Sequence, residues 1–201
     1  MAHIDFFCTT LSPYNYMCGL RPAQIAARTG ATITYKPFDA IAGFSRTGGL
    51  ALPDRHPSRL AYRLQELRRQ SQKAGLELNI NPAYFPVSIA PSSHAMIAAQ
   101  DAHSKDGKGD LAALLHGFGR ACWAEERNIS DAAVVRAVLV AAGFAPELAQ
   151  TNLALSEATY AANLEEAVAR GVFGTPFFIT DTDERFWGQD RLDDLEHHLA
   201  S

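Results

Sequence analysis

Apolar and polar positions along the chain change their rhythm twice. Residues 2–8, "AHIDFFC", form a short run apolar enough for a buried strand. A helical pattern then spans about Pro13 to Thr29 and stops at Gly30, a residue suited to a left-handed helix terminus. "ATITYKPFD", 31–39, alternates as a second strand, and a strand-helix-strand unit of this kind favours a parallel pair. Residues 42–58, "AGFSRTGGLALPDRHPS", are rich in Gly, Pro and Ser and predict an extended loop.

From Arg59 to about Ser156 the spacing is almost wholly helical. Leu60, Leu64 and Leu67 recur on one face, as do Leu111, Leu114, Leu115, Phe118 and Cys122. "NINPAYFPVSIAPSS", 79–93, carries three prolines and cannot be one continuous helix. "SKDGKGD", 104–110, reads as a polar connector, and "NISD" supplies a capped helix start. Beyond residue 156 the opening style returns. A helix ends at Gly171, "TPFFITDTDERFWGQD" predicts two short strands about an acidic turn, and "RLDDLEHHLA" predicts a closing helix. The pattern alone supports an α/β protein with a sheet core and a helical middle.

Composition narrows the class. The 201 residues are 47% hydrophobic and 20% charged, ordinary for a globular chain, and the formal net charge of -4 argues against a nucleic-acid partner. No apolar stretch approaches the ~20 residues that span a bilayer, so no membrane partner is expected. "MAHIDFF" lacks a basic region followed by an apolar signal core, and three cysteines without metal-ligand spacing do not make a disulfide framework. A cytoplasmic location and no metal site are the expectation.

Three short segments carry candidate chemistry. Ser12 opens the first helix and is followed by Pro13, a favoured first helical residue. A serine there caps the helix, and its O–H can also face an anion drawn to the helix terminus. Ser12-Pro13-Tyr14-Asn15 occupies a strand-to-helix junction where two cysteines two residues apart are common, yet it holds neither sulfur. Thr175-Pro176 precedes a strand, where proline is a candidate for a cis peptide. Gly188-Gln189-Asp190 leads into the last helix, where backbone N–H groups suit a carboxylate and Asp190 suits an ammonium, although Asp190 also reads as a plain helix cap.

Together with "PSRLAYRLQEL" at 57–67, "NPAYFPV" at 81–87 and "CWAEERNI" at 122–129, these segments resemble the 2-hydroxychromene-2-carboxylate isomerases. Those are glutathione-dependent relatives of the kappa-class glutathione transferases and, more distantly, of DsbA-type oxidoreductases. The resemblance runs nearly end to end. It implies a thioredoxin-like fold interrupted by a large all-helical insertion, with 1–42 and 157–201 as the discontinuous thioredoxin-like domain and 43–156 as loop plus insertion.

The resemblance further implies glutathione as cofactor and a small aromatic acid as substrate, isomerised by reversible addition of the glutathione thiolate. Ser12 is then the catalytic serine that holds the sulfur. Thr175 beside Pro176 pairs with the cysteinyl portion, and Gly188, Gln189 and Asp190 hold the γ-glutamyl end. Arg59 stands where the family has a lysine and faces the substrate, with Arg46 and Arg55 as weaker candidates. Tyr14, Tyr16, Tyr62, Phe85 and Trp187 are candidate aromatic walls. Residues 44–55 depart most from the family pattern, which bears on the substrate more than on the glutathione site. Relatives also imply a homodimer. The rival readings are a kappa-like glutathione transferase or peroxidase using the same Ser12, a thiol-disulfide oxidoreductase, and a noncatalytic binding protein on the same scaffold.

Overall fold

The computed structural model describes residues 1–201 and holds a four-stranded sheet in the order β2-β1-β3-β4. β1, His3–Cys8, pairs in parallel with β2, Thr32–Pro37, and antiparallel with β3, Phe177–Thr180. β4, Arg185–Trp187, completes an antiparallel hairpin with β3. The two central strands are covered on both faces, which is why β1 and β3 read as near-continuous apolar runs. Phe6 and Phe178 face each other in register and stack with centroids 4.4 Å apart.

The expected first helix is two. α1, Pro13–Met17, stops where Gly19 turns left-handed at φ 56, and α2, Arg21–Thr29, starts afresh with Pro22 in its first turn. Proline has no N–H to continue a preceding helix, so it belongs at a helix start. Gly30, at φ 68, ends α2 as its sequence position suggested.

A second difference falls in the expected loop of 42–58. α3 runs from Ala40 to Thr47, capped by Asp39, whose Oδ1 accepts from the backbone N–H of Ile41 and Ala42 at 3.0 Å. Gly48, at φ 81, terminates this helix rather than preventing it. α3 forms because Ala40 and Phe44 pack on a small core of Phe7, Phe38, Phe177 and Ile179 beneath the sheet. Burial of that stripe outweighs a composition rich in turn formers. A single tight turn, Leu52–Asp54, follows.

The helical body comprises α4 (Pro57–Ala74), α5 (Ala90–Asp106), α6 (Leu111–Trp123), α7 (Ala132–Ala141) and α8 (Leu153–Ala169). Between α4 and α5 the chain is non-helical, as its prolines require, and Phe85–Pro86 is cis. α5 runs two residues beyond the start of the expected connector before Gly107 ends it. α9, Leu192–Leu199, closes the chain. The expected unit boundaries at 42 and 157 fall inside α3 and α8, two helices that pack together. The larger core lies on the other sheet face and includes Phe6, Met96, Phe118 and Trp123. No helix is long and apolar enough to cross a membrane.

A buried hydrogen bond ties this framework to the segment that carries Ser12, and an ion cluster ties β1 to its neighbours. Trp123, fully buried at the end of α6, donates its indole N–H to the Leu11 carbonyl at 2.9 Å. On the sheet, Asp5 meets Arg170 at 2.5 Å and Lys36 at 3.2 Å, and both cations also reach Glu166. Burial pushes the Asp5 pKa up, but the hydrogen bonds and charges of Arg170 and Lys36 outweigh it and hold the carboxyl below its usual range.

Trp123→Phe leaves the buried Leu11 carbonyl without its donor, and the expected loss of stability is about 1–3 kcal/mol, read as a lower urea midpoint at unchanged slope. Asp5 carries a second expectation with a definite sign. Because its folded pKa is depressed, its contribution is complete above the ordinary unfolded value of about 3.9 and is lost as pH falls through the folded value. Asp5→Asn should therefore destabilise at neutral pH, with the gap to the parent narrowing as urea titrations are carried below about pH 4. A gap that widens on acidification would contradict the assignment.

Candidate active site

Ser12 lies four residues beyond β1 and caps α1 with an extended backbone, φ -70 and ψ 126. Its Oγ accepts from the Asn15 backbone N–H at 3.3 Å, and Pro13 occupies the first helical position. The capping role and the half-buried, cavity-facing position coexist. α1 is only five residues long, so its dipole contributes towards the low end of the usual ~0.3–1 kcal/mol. Asn15 is buried at 3% exposure, and its Oδ1 accepts from the Thr175 hydroxyl at 2.7 Å while its Nδ2 has no partner.

Thr175–Pro176 is cis, as the sequence suggested. The Pro176 carbonyl accepts from the Gly188 N–H at 2.9 Å, bringing the two C-terminal segments together. Gly188, at φ 108, leads into a tight turn at Gln189–Arg191 that packs on α1. The Asp190 carboxylate pairs with Arg191 at 3.2 Å and does not cap α9 through its side chain. Thr175 thus touches α1, with Gly188, Gln189 and Asp190 on the adjoining side.

A cavity of about 700 Å³ opens beside Ser12. Ser12, Tyr14, Thr175 and Trp187 line it, together with Phe85 and Arg59. Trp187 lies across Gly174, where a β-carbon would overlap the indole, and meets Phe173 edge-on at 4.9 Å. Pro176, Gly188, Gln189 and Asp190 are outside the lining. So is Tyr62, which is 60% exposed and donates to Glu66 at 3.2 Å. Its hydroxyl is turned along α4 to Glu66 and does not reach the cavity. Tyr16 is core: it stacks on His116 at 5.0 Å and donates to the Glu77 carbonyl at 3.0 Å. Arg46 is likewise engaged elsewhere, with Glu165 at 2.6 Å.

Arg63 was not among the candidates drawn from the sequence. It lines the cavity four residues after Arg59, on the same face of α4, and stands 5.7 Å above the Phe85 ring. The i, i+4 spacing of the two arginines was the available signal. Burial lowers the Arg63 pKa, partly countered by Tyr14. Burial likewise raises that of Tyr14, so the phenol stays protonated at neutral pH. The chain has no ready thiolate of its own. Burial pushes the Cys8 and Cys18 thiols far up and that of Cys122 to about 11.

Comparison with known proteins places this geometry in context. Residues 3–200 match the family described as DSBA-like thioredoxin domain. The chain is 28% identical over 209 residues to a 2-hydroxychromene-2-carboxylate isomerase of Sphingobium xenophagum, covering 98% of this chain and 97% of that protein. It is 26% identical over 200 residues to the enzyme of the same name from Pseudomonas putida, covering 98% and 94%. Among solved structures, a 2-hydroxychromene-2-carboxylate isomerase superposes with a TM-score of 0.76 at 25% identity, covering 98% of this chain and 94% of that one. The cytosolic disulfide reductase DsbM of Pseudomonas aeruginosa, in a structure with GSH, shares the fold with a TM-score of 0.69 at 20% identity, covering 98% and 96%. The chain belongs to the DsbA-like thioredoxin family.

Proposed function

We propose that the protein is a glutathione-dependent cis-trans isomerase acting on 2-hydroxychromene-2-carboxylate or a related aromatic 2-oxo acid. The observation that carries this reading is a serine hydroxyl opening on an arginine-lined cavity in a chain whose own thiols are all buried. The likeness to named isomerases over nearly the whole chain supports the reaction class.

Glutathione suits the residues present. The cavity falls within the ~300–1,000 Å³ typical of small-molecule sites. Ser12 offers an O–H, and Asp190 a carboxylate for an ammonium group. When bound, glutathione would supply the thiolate that adds reversibly to the conjugated double bond, permitting rotation before it leaves unchanged.

The chain's own residues position and stabilise. Ser12, with its lone pair engaged by the Asn15 N–H, is free to donate its proton to sulfur. Lowering a thiol pKa from about 8.5 by two units requires ~2.7 kcal/mol of preference for the thiolate. One hydrogen bond to a charged acceptor supplies ~1.5–3 kcal/mol, so Ser12 accounts for most of it even with a weak helix dipole. The Thr175 backbone would pair with the cysteinyl portion, framed by Pro176. Gly188, Gln189 and Asp190 would hold the γ-glutamyl end from outside the main cavity. Arg59, Tyr14 and Trp187 would face the acceptor, while Tyr62 has no part in it.

Ser12→Ala should leave the circular dichroism intact and slow glutathione-dependent isomerisation at neutral pH at least ~10-fold. The thiolate absorbance of bound glutathione should appear about one to two pH units higher, shifting the rate profile to the alkaline side. An unchanged rate with an unchanged thiolate titration rejects the role of Ser12. Net consumption of glutathione in the parent assay would instead indicate transferase or peroxidase chemistry.

A further inference from the structure

We infer that Arg63, standing on the ring of Phe85, is the docking point for the carboxylate of a conjugated aromatic acid. This deepens the isomerase reading and rests on it only for the identity of the acid.

Three arginines line the cavity, and Asp39 is the one acidic residue among the lining. Asp39 is already engaged in capping α3. In a chain of net charge -4, the cavity is a local excess of positive charge. Arginines elsewhere commonly stand beside carboxylates: Arg21 on Asp193, Arg28 on Glu196, Arg46 on Glu165, Arg170 on Asp5. Arg55, Arg59 and Arg63 have no such partner.

The three are not equivalent. Arg55 directs its Nε–H to the Leu50 carbonyl at 2.9 Å and lies 5.9 Å over Phe44, so part of its fork is engaged in holding its own loop. Arg59 is exposed, where a guanidinium is screened and a carboxylate gains little. Arg63 is half-buried, and none of its N–H groups meets an acceptor in the protein. A planar five-donor fork without acceptors, partly removed from water, favours a planar, bidentate anion.

The surroundings select what that anion is attached to. Phe85, tilted at 4.9 Å against the buried Trp123, is a supported aromatic surface rather than a mobile one. Arg63 occupies the cation position over that ring. Tyr14, whose hydroxyl has no partner in the protein and stays protonated, lines the same cavity within the electrostatic reach of Arg63. A carboxylate conjugated to a flat ring matches all three: the fork takes its two oxygens, Tyr14 offers a further donor, and the ring has an aromatic neighbour. A compact inorganic anion would use the fork alone.

The test is calorimetric and needs neither glutathione nor turnover. Cinnamate and its neutral amide, cinnamamide, are titrated into the parent, Arg63→Gln and Arg63→Lys. The acid should bind the parent more tightly than the amide. Arg63→Gln should weaken the acid about 10-fold or more while moving the amide less than about two-fold, which also shows that the pocket is intact. Arg63→Lys, keeping charge without the fork, should recover only part of the loss. Glutathione affinity, titrated separately, should stay within about two-fold in every variant. The inference is overturned if the acid is unaffected by Arg63→Gln, if acid and amide weaken equally, if neither binds the parent, or if glutathione is what weakens. Failure of glutathione to bind the parent would remove the isomerase reading and leave the acid site standing.

Discussion

One half-buried hydrogen bond, from the Thr175 hydroxyl to Asn15 Oδ1 at 2.7 Å, joins residues 160 positions apart and fixes the geometry on which the site depends. Its two ends belong to the opening strand-helix unit and to the loop before β3. β1 and β3 are neighbours in the sheet, so the turns at their ends must meet, and the Thr175–Asn15 bond sets how they meet. Ser12 follows from it: the backbone N–H of the same Asn15 is the donor that fixes Ser12 Oγ. Asn15 Nδ2 remains buried without a partner, an arrangement that ordinarily costs a protein about 1–3 kcal/mol. The asparagine is kept in a place where an apolar residue of similar size would be less costly and would lose the link to Thr175.

That geometry changes what a DsbA-like fold can do. A dithiol at this junction would exchange electrons with its substrate, whereas a hydroxyl can only stabilise charge that another molecule brings. The three cysteines do not compensate, because burial keeps each of them protonated. Since α1 is little more than one turn, its dipole contributes weakly, and in the proposed reading the Ser12 hydroxyl would carry most of the charge stabilisation.

The sheet elements and the two short C-terminal strands were within reach of the sequence because each rests on local signals: β-branched and aromatic runs and a turn. The cis Thr175–Pro176 bond had no such local signal, since a proline at a strand entry is ordinarily trans, and it was suggested only by the joint pattern of segments. What escaped was decided by tertiary packing. Gly19 looked like a tolerable glycine inside one long helix, and only its positive φ makes it the break between α1 and α2. The residues of α3 read as loop because Gly48, Gly49 and Pro53 dominate the composition, while the burial of Phe44 and Ala40 that holds the helix has no signature in a window of turn formers. At the site, Ser12 was visible as a capping position. Tyr62 and Arg63 were not separable by residue type, since an aromatic and a cation are both plausible beside an aromatic acid. Their difference is where each side chain reaches: the Tyr62 hydroxyl goes to Glu66, and Arg63 goes over the Phe85 ring.

α4 itself shows how one helix can serve stability and binding through different partners. Glu66 accepts from Arg69, Gln70 and Tyr62, each three or four residues away. Arg63 is three residues from the same glutamate and Arg59 seven, which puts all three on one side of the helix, yet neither arginine pairs with a carboxylate and both line the cavity. Had Glu66 turned to Arg63, the ordinary i, i+3 pair would have formed. That pair would also cancel charge that attracts an anion and fill donors of the guanidinium permanently. With Glu66 held by its other three partners, the two arginines stay unpaired, an arrangement that suits an anionic ligand completing the set of partners only when it arrives.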